Sequence, residues 1–216
     1  VPSDRIIKTG SPMLEVLNYY LPKIKKSKIL EKLNLTKKKY FVISAHREEN
    51  IEVDENFNKI IDIVDTLANV YNLPVIVSTH PRTKKRLNLQ KKKFNKKVNF
   101  IKPLGFCDYI NLQIHSKATL SDSGTITEES SILNFPALNI REVHERPEGM
   151  EETSVMMPGL EINRILQGLN ILQNQPRGIN RILQLAQDYN VPNVSHKVLR
   201  IIHSYTDYVN RVIWKK

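Results

Sequence analysis

Short apolar runs alternate with segments of helical periodicity over most of the chain, and this alternation constrains the fold more than any other feature. The run at residues 40–44, Tyr-Phe-Val-Ile-Ser, is typical of a buried strand. After it, apolar residues recur at helical spacing from Asp54, which we expect to cap the helix. Strands that alternate with helices favour βαβ units and a parallel sheet with helices on both faces. The sequence therefore predicts a doubly wound, Rossmann-like α/β domain.

The same pattern places the individual elements. Strands are predicted at residues 40–44, 74–78, 98–101, 118–121, 137–140 and 155–157, and helices at residues 54–68, 82–93, 107–115, 126–134 and 161–173. The first residues predict a short strand and turn at 6–12 and a helix at 12–21. Residues 174–194 predict a helix flanked by loops, and residues 195–216 predict a terminal helix whose apolar face docks on another surface.

The composition is that of a globular chain with an excess of positive charge. Of the 216 residues, 40% are hydrophobic and 25% are charged, and the net charge is +11. Such a charge favours anionic partners, but the lysine-rich stretches 23–39 and 84–97 lack the interleaved aromatic residues of a single-strand binder. A genome rich in AT codons would produce the same excess of lysine, so both interpretations stay open, and no specific nucleic-acid partner is predicted.

The sequence carries no sign of a membrane or secreted location. No apolar run approaches the roughly 20 residues of a spanning helix, and the first residues do not resemble a signal peptide. The single Cys107 has no partner for an internal disulfide, which fits a reducing cytoplasm. Because the chain begins with Val1 rather than Met, we expect it to be a piece of a longer protein.

Two polar loops directly follow predicted strands, where ligands bind in open parallel sheets. The loop at 44–50 reads Ser-Ala-His-Arg-Glu-Glu-Asn, and its His46 and Arg47 suit phosphate oxygens. A solvated polar loop is the alternative. The loop at 78–82 contains His80, and there the alternative is a simple entry into the next helix.

A third segment, residues 120–129, runs from a strand through small residues into a helix. Ser123, Gly124 and Thr125 would present backbone amides and hydroxyls to a phosphate at the helix N-terminus. Glu128 or Glu129, one turn further on, could accept hydrogen bonds from ribose hydroxyls. The alternative is a capping box, in which Ser123 or Thr125 pairs with Glu128. The segment matches neither a Walker A loop nor G-x-G-x-x-G, so ATP and NAD have no direct support.

The loop at residues 141–152 contains more charges than a turn requires, which indicates either ligand contact or a structural network of ion pairs. Together with the segments 44–50 and 121–129, its Glu-Arg-Pro-Glu run at 145–148 resembles the non-hydrolysing UDP-N-acetylglucosamine 2-epimerases. Thr125 and residues 146–152 resemble the branch that converts UDP-2-acetamido-2,6-dideoxy-L-talose into UDP-N-acetyl-L-fucosamine.

The resemblance implies a fold of two Rossmann-like domains in the GT-B arrangement, with the active site between them. Residues 1–27 would form the crossover between the domains, residues 28–194 the C-terminal UDP-binding domain, and residues 195–216 a helix that returns toward the N-terminal domain. That first domain, with its acidic residues for proton transfer at the sugar C2, would lie outside this chain. The family resemblance also implies a bacterial, cytoplasmic homodimer that serves capsule or O-antigen synthesis.

The resemblance further implies a role for each matching residue. His46 would act as a catalytic or phosphate-contacting residue beside the sugar diphosphate. Tyr109 would stack on the uracil, with backbone groups of Leu104 nearby and Phe106 as the second choice for the stacking ring. The remaining residues that would bind the UDP-sugar are Arg47, Ser123, Gly124 and Thr125 at the pyrophosphate, Glu129 at the ribose, and Arg146 as a neutralising cation.

The implied reaction removes the C2 proton, eliminates UDP in the anti sense and adds UDP back to the resulting glycal. It requires neither a cofactor nor a metal, and His46 is the candidate base within this chain. Two other functions remain open at this point. One is a nucleotide-sugar glycosyltransferase of the same two-domain architecture, and the other is a non-catalytic nucleotide-binding fragment.

Overall fold

The structure, a computed structural model, describes residues 2–89, 92–143 and 146–216. The described residues form one five-stranded sheet. Its strands are β1 (Phe41–Ser44), β2 (Val75–Ser78), β3 (Val98–Ile101), β4 (Ala118–Ser121) and β5 (Ala137–Asn139). All neighbouring strands are parallel, and their order is β3-β2-β1-β4-β5. This is the doubly wound order, so the predicted Rossmann-like fold is confirmed.

Helices connect the strands and cover the sheet. In chain order they are α1 (Met13–Lys25), α2 (Ile29–Lys32), α3 (Glu48–Ile51), α4 (Asp54–Tyr71), α5 (Pro81–Leu89), α6 (Phe106–His115), α7 (Thr125–Leu133), α8 (Pro147–Glu151), α9 (Ile162–Leu172) and α10 (Val194–Tyr208). Short 3-10 turns occupy Ser3–Arg5 and Gln187–Tyr189, and a π-helical turn follows α10 at Val209–Ile213. Within the described ranges, no helix has the length and apolar character needed to cross a bilayer.

Side chains of β1 supply both faces of the core. Phe41 and Ile43 point into a cluster with residues of α4 and α9, while Val42 packs with Ile29 and Leu112 on the other face. Successive residues of a strand point to opposite faces, so a run that is apolar throughout requires cover on both sides. That requirement explains why β1 could be identified from its sequence.

The helix boundaries differ from the prediction at several places, of which three have a clear cause or consequence. α1 continues to Lys25, through Pro22, because Ile24 packs against Ile110 of α6. α4 has Val53 as its N-cap residue, so Asp54 is the first helical residue and not the cap. The Asp54 carboxylate pairs with Arg86. α5 ends at Leu89. Of the rest of the predicted helix, residues 90–91 lie outside the described residues and residues 92–93 are irregular.

Three predicted elements are absent from the described residues. The sixth strand, at 155–157, is reduced to one bridge between Leu138 and Met156, because Pro158 follows and has no amide to donate. The strand predicted within residues 6–12 is irregular backbone. There Gly10 adopts a φ of +87° and Ser11 donates its amide to Asp188.

The helix predicted within residues 174–194 is replaced by an irregular segment that long side chains hold in place. Arg177 donates to the carbonyls of Ser116 and Lys117, both at 2.9 Å. Arg181 donates to the carbonyl of Ser131 at 2.8 Å. Since these contacts join residues about 50 to 60 positions apart in the chain, local periodicity does not reveal them.

The predicted terminal helix forms as α10 and the π-helical turn after it, while residues 214–216 are not helical, and its apolar face is exposed. Leu199 and Ile202 are each 56% exposed. The N-terminal end of the helix is held by Ser195, whose hydroxyl donates to Glu15 of α1 at 2.7 Å. Docking of the exposed face on another surface stays a prediction.

Candidate functional site

Three serines end three neighbouring strands in one row. Ser44 of β1 is in register with Ser78 of β2 on one side and with Ser121 of β4 on the other. The strand order reverses between β1 and β4, and ligands of such sheets bind in the crevice at that point. The small side chains leave the floor of the crevice open. Above it lies a cleft of about 300 Å³, here called the strand-end cleft.

The strand-end cleft brings together most of the predicted site residues. Its lining contains His46, Leu104, Tyr109, Ser123, Thr125 and Glu129, together with Pro103, Gln113 and the three serines. The other predicted residues, Arg47, Gly124 and Arg146, lie next to the cleft, outside its lining. Arg47 donates its Nε to the carbonyl of Asp122 at 3.1 Å, and Gly124 is the N-cap residue of α7.

Asp122 fixes the loop that carries His46, a role that sequence reasoning did not assign. Its buried carboxylate accepts the backbone amides of His46 and Arg47, each at 2.9 Å, and the side-chain amide of Asn50 at 3.1 Å. A carboxylate that accepts several N–H groups holds its donors in a defined geometry. The available signal was an Asp directly after one strand and an Asn in the loop after the adjacent strand.

His46 lies in an environment that favours the neutral imidazole. Burial lowers the pKa of His46 below its usual value of 6.5, and the nearby His80 lowers it further, while Asp122 opposes both effects. The two histidine rings lie with centroids 6.1 Å apart. His80 thus places the second predicted loop, residues 78–82, next to His46. A neutral imidazole can accept a proton or a hydrogen bond at physiological pH.

The N-terminus of α7 is organised by hydroxyl groups. The Ser123 and Thr125 hydroxyls are 2.9 Å apart, and the Ser123 oxygen also accepts the Thr125 amide at 3.3 Å. Gly124 has a helical φ of −62°, so its backbone does not require glycine. A β-carbon at Gly124 would lie 3.7 Å from the Nε of Arg146. Glycine therefore leaves space between the helix end and a guanidinium, an arrangement suited to an anion.

The capping-box alternative is wrong, because Glu128 is engaged elsewhere. Its Oε1 accepts the Ser11 hydroxyl at 2.5 Å, and its Oε2 lies 3.5 Å from the Arg146 guanidinium. These groups line a second cleft, here called the Arg146 cleft, of about 480 Å³ between residues 9–13, α7 and α8. The neighbouring Glu129 lines the strand-end cleft instead.

Glu129 is a buried carboxyl in a polar wall. Burial, together with the charge of Glu128, raises the pKa of Glu129 to about 7, although hydrogen bonding to Thr125 and Gln113 opposes part of the rise. A carboxyl of this kind is poised between its protonated and ionised forms near neutral pH, and in either form it can accept hydrogen bonds from a polyol.

Tyr109 also lines the strand-end cleft. Its ring packs with Leu104 against the core cluster of Tyr40 and Leu112, and burial raises the pKa of its hydroxyl. That hydroxyl lies near Ser44 and Gln113, which oppose the rise in its pKa, but it forms no hydrogen bond of normal geometry with the described residues. Phe106, the second choice for an aromatic contact, packs edge-on against Tyr20 with ring centroids 5.5 Å apart and does not line the cleft.

The charged loop forms ion pairs on the part that the structure describes. Arg146 lies 3.8 Å from Glu148 in addition to its contact with Glu128. Glu148 in turn accepts the Tyr189 hydroxyl at 3.2 Å. His144 and Glu145, the latter part of the Glu-Arg-Pro-Glu run, lie outside the described residues. The Arg146 side chain remains 39% exposed, so the ion pairs leave part of it accessible to a ligand.

Comparison with known proteins points to one family. A sequence model of the UDP-N-acetylglucosamine 2-epimerase family matches residues 1–203. The protein named UDP-N-acetylglucosamine 2-epimerase from Methanocaldococcus jannaschii is 33% identical over 142 residues, which are 64% of this chain and 39% of that protein.

Solved structures agree. The structure of UDP-N-acetylglucosamine 2-epimerase from Rickettsia bellii matches with a TM-score of 0.89 and 45% identity, over 100% of this chain and 58% of that one. A Methanocaldococcus jannaschii epimerase in complex with UDP-N-acetylglucosamine and UDP matches with a TM-score of 0.81 and 26% identity, over 94% of this chain and 56% of that one. The chain therefore spans less than two thirds of the length of these proteins.

Proposed function

The chain belongs to the UDP-N-acetylglucosamine 2-epimerase family, and we propose that it forms the UDP-binding half of a UDP-N-acetylhexosamine 2-epimerase. The observation that carries the proposal is the strand-end cleft, in which a helix N-terminus, a buried carboxyl and a tyrosine ring line one cavity. The similarity to a structure that contains UDP-N-acetylglucosamine and UDP supports the same class of ligand.

The proposed ligand runs across the cleft from Tyr109 to Arg146. The uracil stacks on Tyr109, and the ribose hydroxyls donate to Glu129, which lines the same cleft. The diphosphate binds at Ser123, Gly124 and Thr125, where helix amides and hydroxyls meet. Arg146, beside Gly124, neutralises phosphate charge. The sugar then lies beside the diphosphate, with His46 close to both.

The proposed reaction exploits the departure of UDP. A base removes the C2 proton, the C1–O bond breaks, and UDP leaves with the bonding electrons, so that a C1–C2 double bond forms in the sugar. UDP then adds back through its oxygen at C1, and a proton returns to the other face of C2. The end of α7, His46 and Arg146 stabilise the negative charge that develops on departing UDP.

Proton transfer on both faces of C2 requires two groups on opposite sides of the sugar. His46, held neutral beside His80, is suited to contact one side. We propose that the second group comes from the part of the relatives' length that this chain does not span. Complete epimerase activity therefore requires that part, and the residues of this chain bind UDP and stabilise its departure.

The proposed substrate is UDP-2-acetamido-2,6-dideoxy-L-talose, and the product is UDP-N-acetyl-L-fucosamine. The support is the resemblance of Thr125, directly after Gly124, and of residues 146–152 to the branch with this specificity. Thr125 lines the strand-end cleft and the Arg146 cleft, so its side chain lies where the two meet.

Calorimetric titration with UDP and with ribose 5-phosphate tests the proposed site. We expect UDP to bind more tightly, and the Tyr109→Ala variant to lose about 1–3 kcal/mol of UDP affinity, the range for stacking of a base on an aromatic ring. Tyr19→Ala, which removes a ring that is 74% exposed on α1, is the control and should bind UDP normally. Equal affinity of the unmodified chain for the two ligands would show that there is no uracil pocket.

A further inference from the structure

The carboxylate of Glu128 joins two parts of the molecule that are distant in sequence. One oxygen accepts the hydroxyl of Ser11, which lies 117 positions away, and the other lies beside the Arg146 guanidinium. Glu128 is 4% exposed. Burying a carboxylate costs free energy unless it is hydrogen-bonded and paired with a cation. Both requirements are met here, one by each partner.

Ser11 is itself firmly held. Its amide donates to the carbonyl of Asp188 at 2.8 Å, and its hydroxyl oxygen accepts the amide of Met13 at 3.1 Å, at the start of α1. The side chain of Asp188 forms an ion pair with Lys8 at 2.8 Å. The Ser11 hydroxyl therefore reaches Glu128 from a fixed backbone, and the position of the carboxylate follows from that backbone.

Arg146 differs from Ser11 because its side chain is long and partly exposed. It precedes the first residue of α8, and its side chain is 39% exposed, so part of it lies within reach of solvent. A long cationic side chain loses conformational entropy when it is held in one position for a ligand. A carboxylate already in place reduces that loss at the moment of binding.

We propose that Glu128 is a positioning residue for Arg146: held by Ser11, it directs the guanidinium toward the N-terminal end of α7 where the diphosphate binds. This inference rests on the proposed function, because it assigns Arg146 to phosphate. The carboxylate of Glu128 then connects residues 9–12 to the phosphate-binding end of α7.

The Glu128→Gln substitution tests the proposal. Glutamine has the same length and can still accept the Ser11 hydrogen bond, but it carries no negative charge for Arg146. We expect the variant to bind UDP roughly tenfold more weakly, the order of one lost interaction with a charged group. Its affinity for uridine, which has no phosphate, should be unchanged. Uridine binding thus reports whether the strand-end cleft has kept its structure.

Glu148→Gln is the matched control. Glu148 contacts the same guanidinium, but at 3.8 Å, and it is 22% exposed. We expect its effect on UDP affinity to be less than twofold. An Arg146→Gln variant completes a double-mutant cycle. If Glu128 acts through Arg146, adding Glu128→Gln to that variant should cause no further loss of UDP affinity.

A second measurement does not depend on UDP. In ¹⁵N relaxation experiments the Nε–H group of Arg146 should be rigid in the unmodified chain and in Glu148→Gln, and mobile in Glu128→Gln. Equal rigidity in all three chains would overturn the positioning role, and so would unchanged or tighter UDP binding by Glu128→Gln. If the unmodified chain binds uridine but not UDP, or binds neither, the proposed function fails and this inference fails with it.

Discussion

The carboxylate of Asp122 accepts the backbone amide of His46 at 2.9 Å, so the residue after β4 determines where the loop after β1 places its histidine. The contact is made by the backbone amide, and the imidazole ring lies beside His80. The loop is therefore fixed through its backbone. The pKa of the ring is lowered by burial and by His80 and raised by the charge of Asp122, and each of these effects is accessible to experiment.

Replacing His80 should raise the pKa of His46. His80 lowers the pKa of His46 by its charge, and the two ring centroids lie 6.1 Å apart. His80→Gln removes the like charge, which favours the protonated form of His46. NMR titration of the His46 ring protons measures the shift. His203→Gln, at an exposed position on α10, is the control and should leave the His46 titration unchanged. A lower pKa in His80→Gln would contradict this account of the site.

Glu129 should make the stability of the chain fall as the pH rises. Burial raises the pKa of Glu129 from its usual 4.5 to about 7. Between these values the folded state keeps a proton that the unfolded state has lost, so the free energy of unfolding decreases with pH across that window. Because a shift of one pKa unit corresponds to about 1.36 kcal/mol, the full decrease in the free energy of unfolding is on the order of 3 kcal/mol.

Glu129→Gln should remove this contribution. Its melting temperature, relative to that of the unmodified chain, should be higher at pH 8 than at pH 4.5. Glu52→Gln changes an exposed carboxylate and is the control, for which we expect no such pH-dependent difference. An unmodified chain and a Glu129→Gln variant with parallel stability curves from pH 4.5 to 8 would show that Glu129 titrates normally.

Side chains at Gly124 should block the phosphate without affecting the fold. The helical φ of Gly124 accepts any L-residue, and the space in front of it is bounded by the Arg146 guanidinium at 3.7 Å. We expect Gly124→Val to melt at the temperature of the unmodified chain, to bind uridine normally and to bind UDP at least roughly tenfold more weakly. Gly124→Ala should show a smaller loss. UDP affinity equal to that of the unmodified chain in the Val variant would rule out this phosphate site.

Gly149 should be sensitive to substitution because the fold leaves no room there for a β-carbon. A β-carbon there would lie 2.3 Å from the Thr127 side chain of α7, so α8 would have to move away. We expect Gly149→Ala to lose about 1–3 kcal/mol of stability, as overpacking does, and to bind UDP more weakly because Arg146 moves with α8. Chemical denaturation and calorimetry measure the two effects. Gly178→Ala, where a β-carbon meets nothing within 4 Å but φ is +64°, shows the cost of backbone strain without a steric clash.

The chain by itself should bind UDP without catalysing epimerisation. His46 contacts one side of the sugar in the proposed complex, and exchange of the C2 proton on both faces requires a second group. NMR in D₂O with UDP-N-acetylglucosamine or the L-talo substrate would detect deuterium at C2. We expect no deuterium incorporation above that of a sample without protein. Incorporation at the rate of a full-length relative would mean that the residues of this chain suffice for the chemistry.

Much of the fold could be predicted because four of its five strands, β1, β2, β4 and β5, are buried on both faces. A run such as Tyr-Phe-Val-Ile at 40–43 leaves few alternatives once helices flank it. The failures occurred where the structure depends on distant partners. Residues 174–194 gain their hydrogen bonds from Arg177 and Arg181, which reach carbonyls of earlier elements. At residues 155–157, the backbone forms one bridge, between Met156 and Leu138, and Pro158 does not continue the strand pairing.

The residues that line the site could be predicted to a similar extent. Loops after strands must meet at one edge of a parallel sheet, and six of the nine predicted residues line the strand-end cleft. The sequence did not reveal the hydrogen bonds that hold the site in place. Glu128 matched a local capping pattern, yet its hydroxyl partner is Ser11. Asp122 supplies the contacts that hold the His46 loop, and nothing in its local pattern distinguishes it from a solvated turn residue.

The contacts of residues 8–15 with residues 188–197 also have a consequence for the order of folding. Glu15 and Ser195 are 180 positions apart, and Thr9 and Lys197 are 188 apart. The sheet, by contrast, closes with residue 139. During synthesis, therefore, β1 to β5 can pair while Ser11 still lacks Asp188. Contacts of such high sequence separation are slow to form. The anchoring of Ser11, and through it the placement of Glu128, is then completed late, on a sheet whose strand-end cleft has already formed.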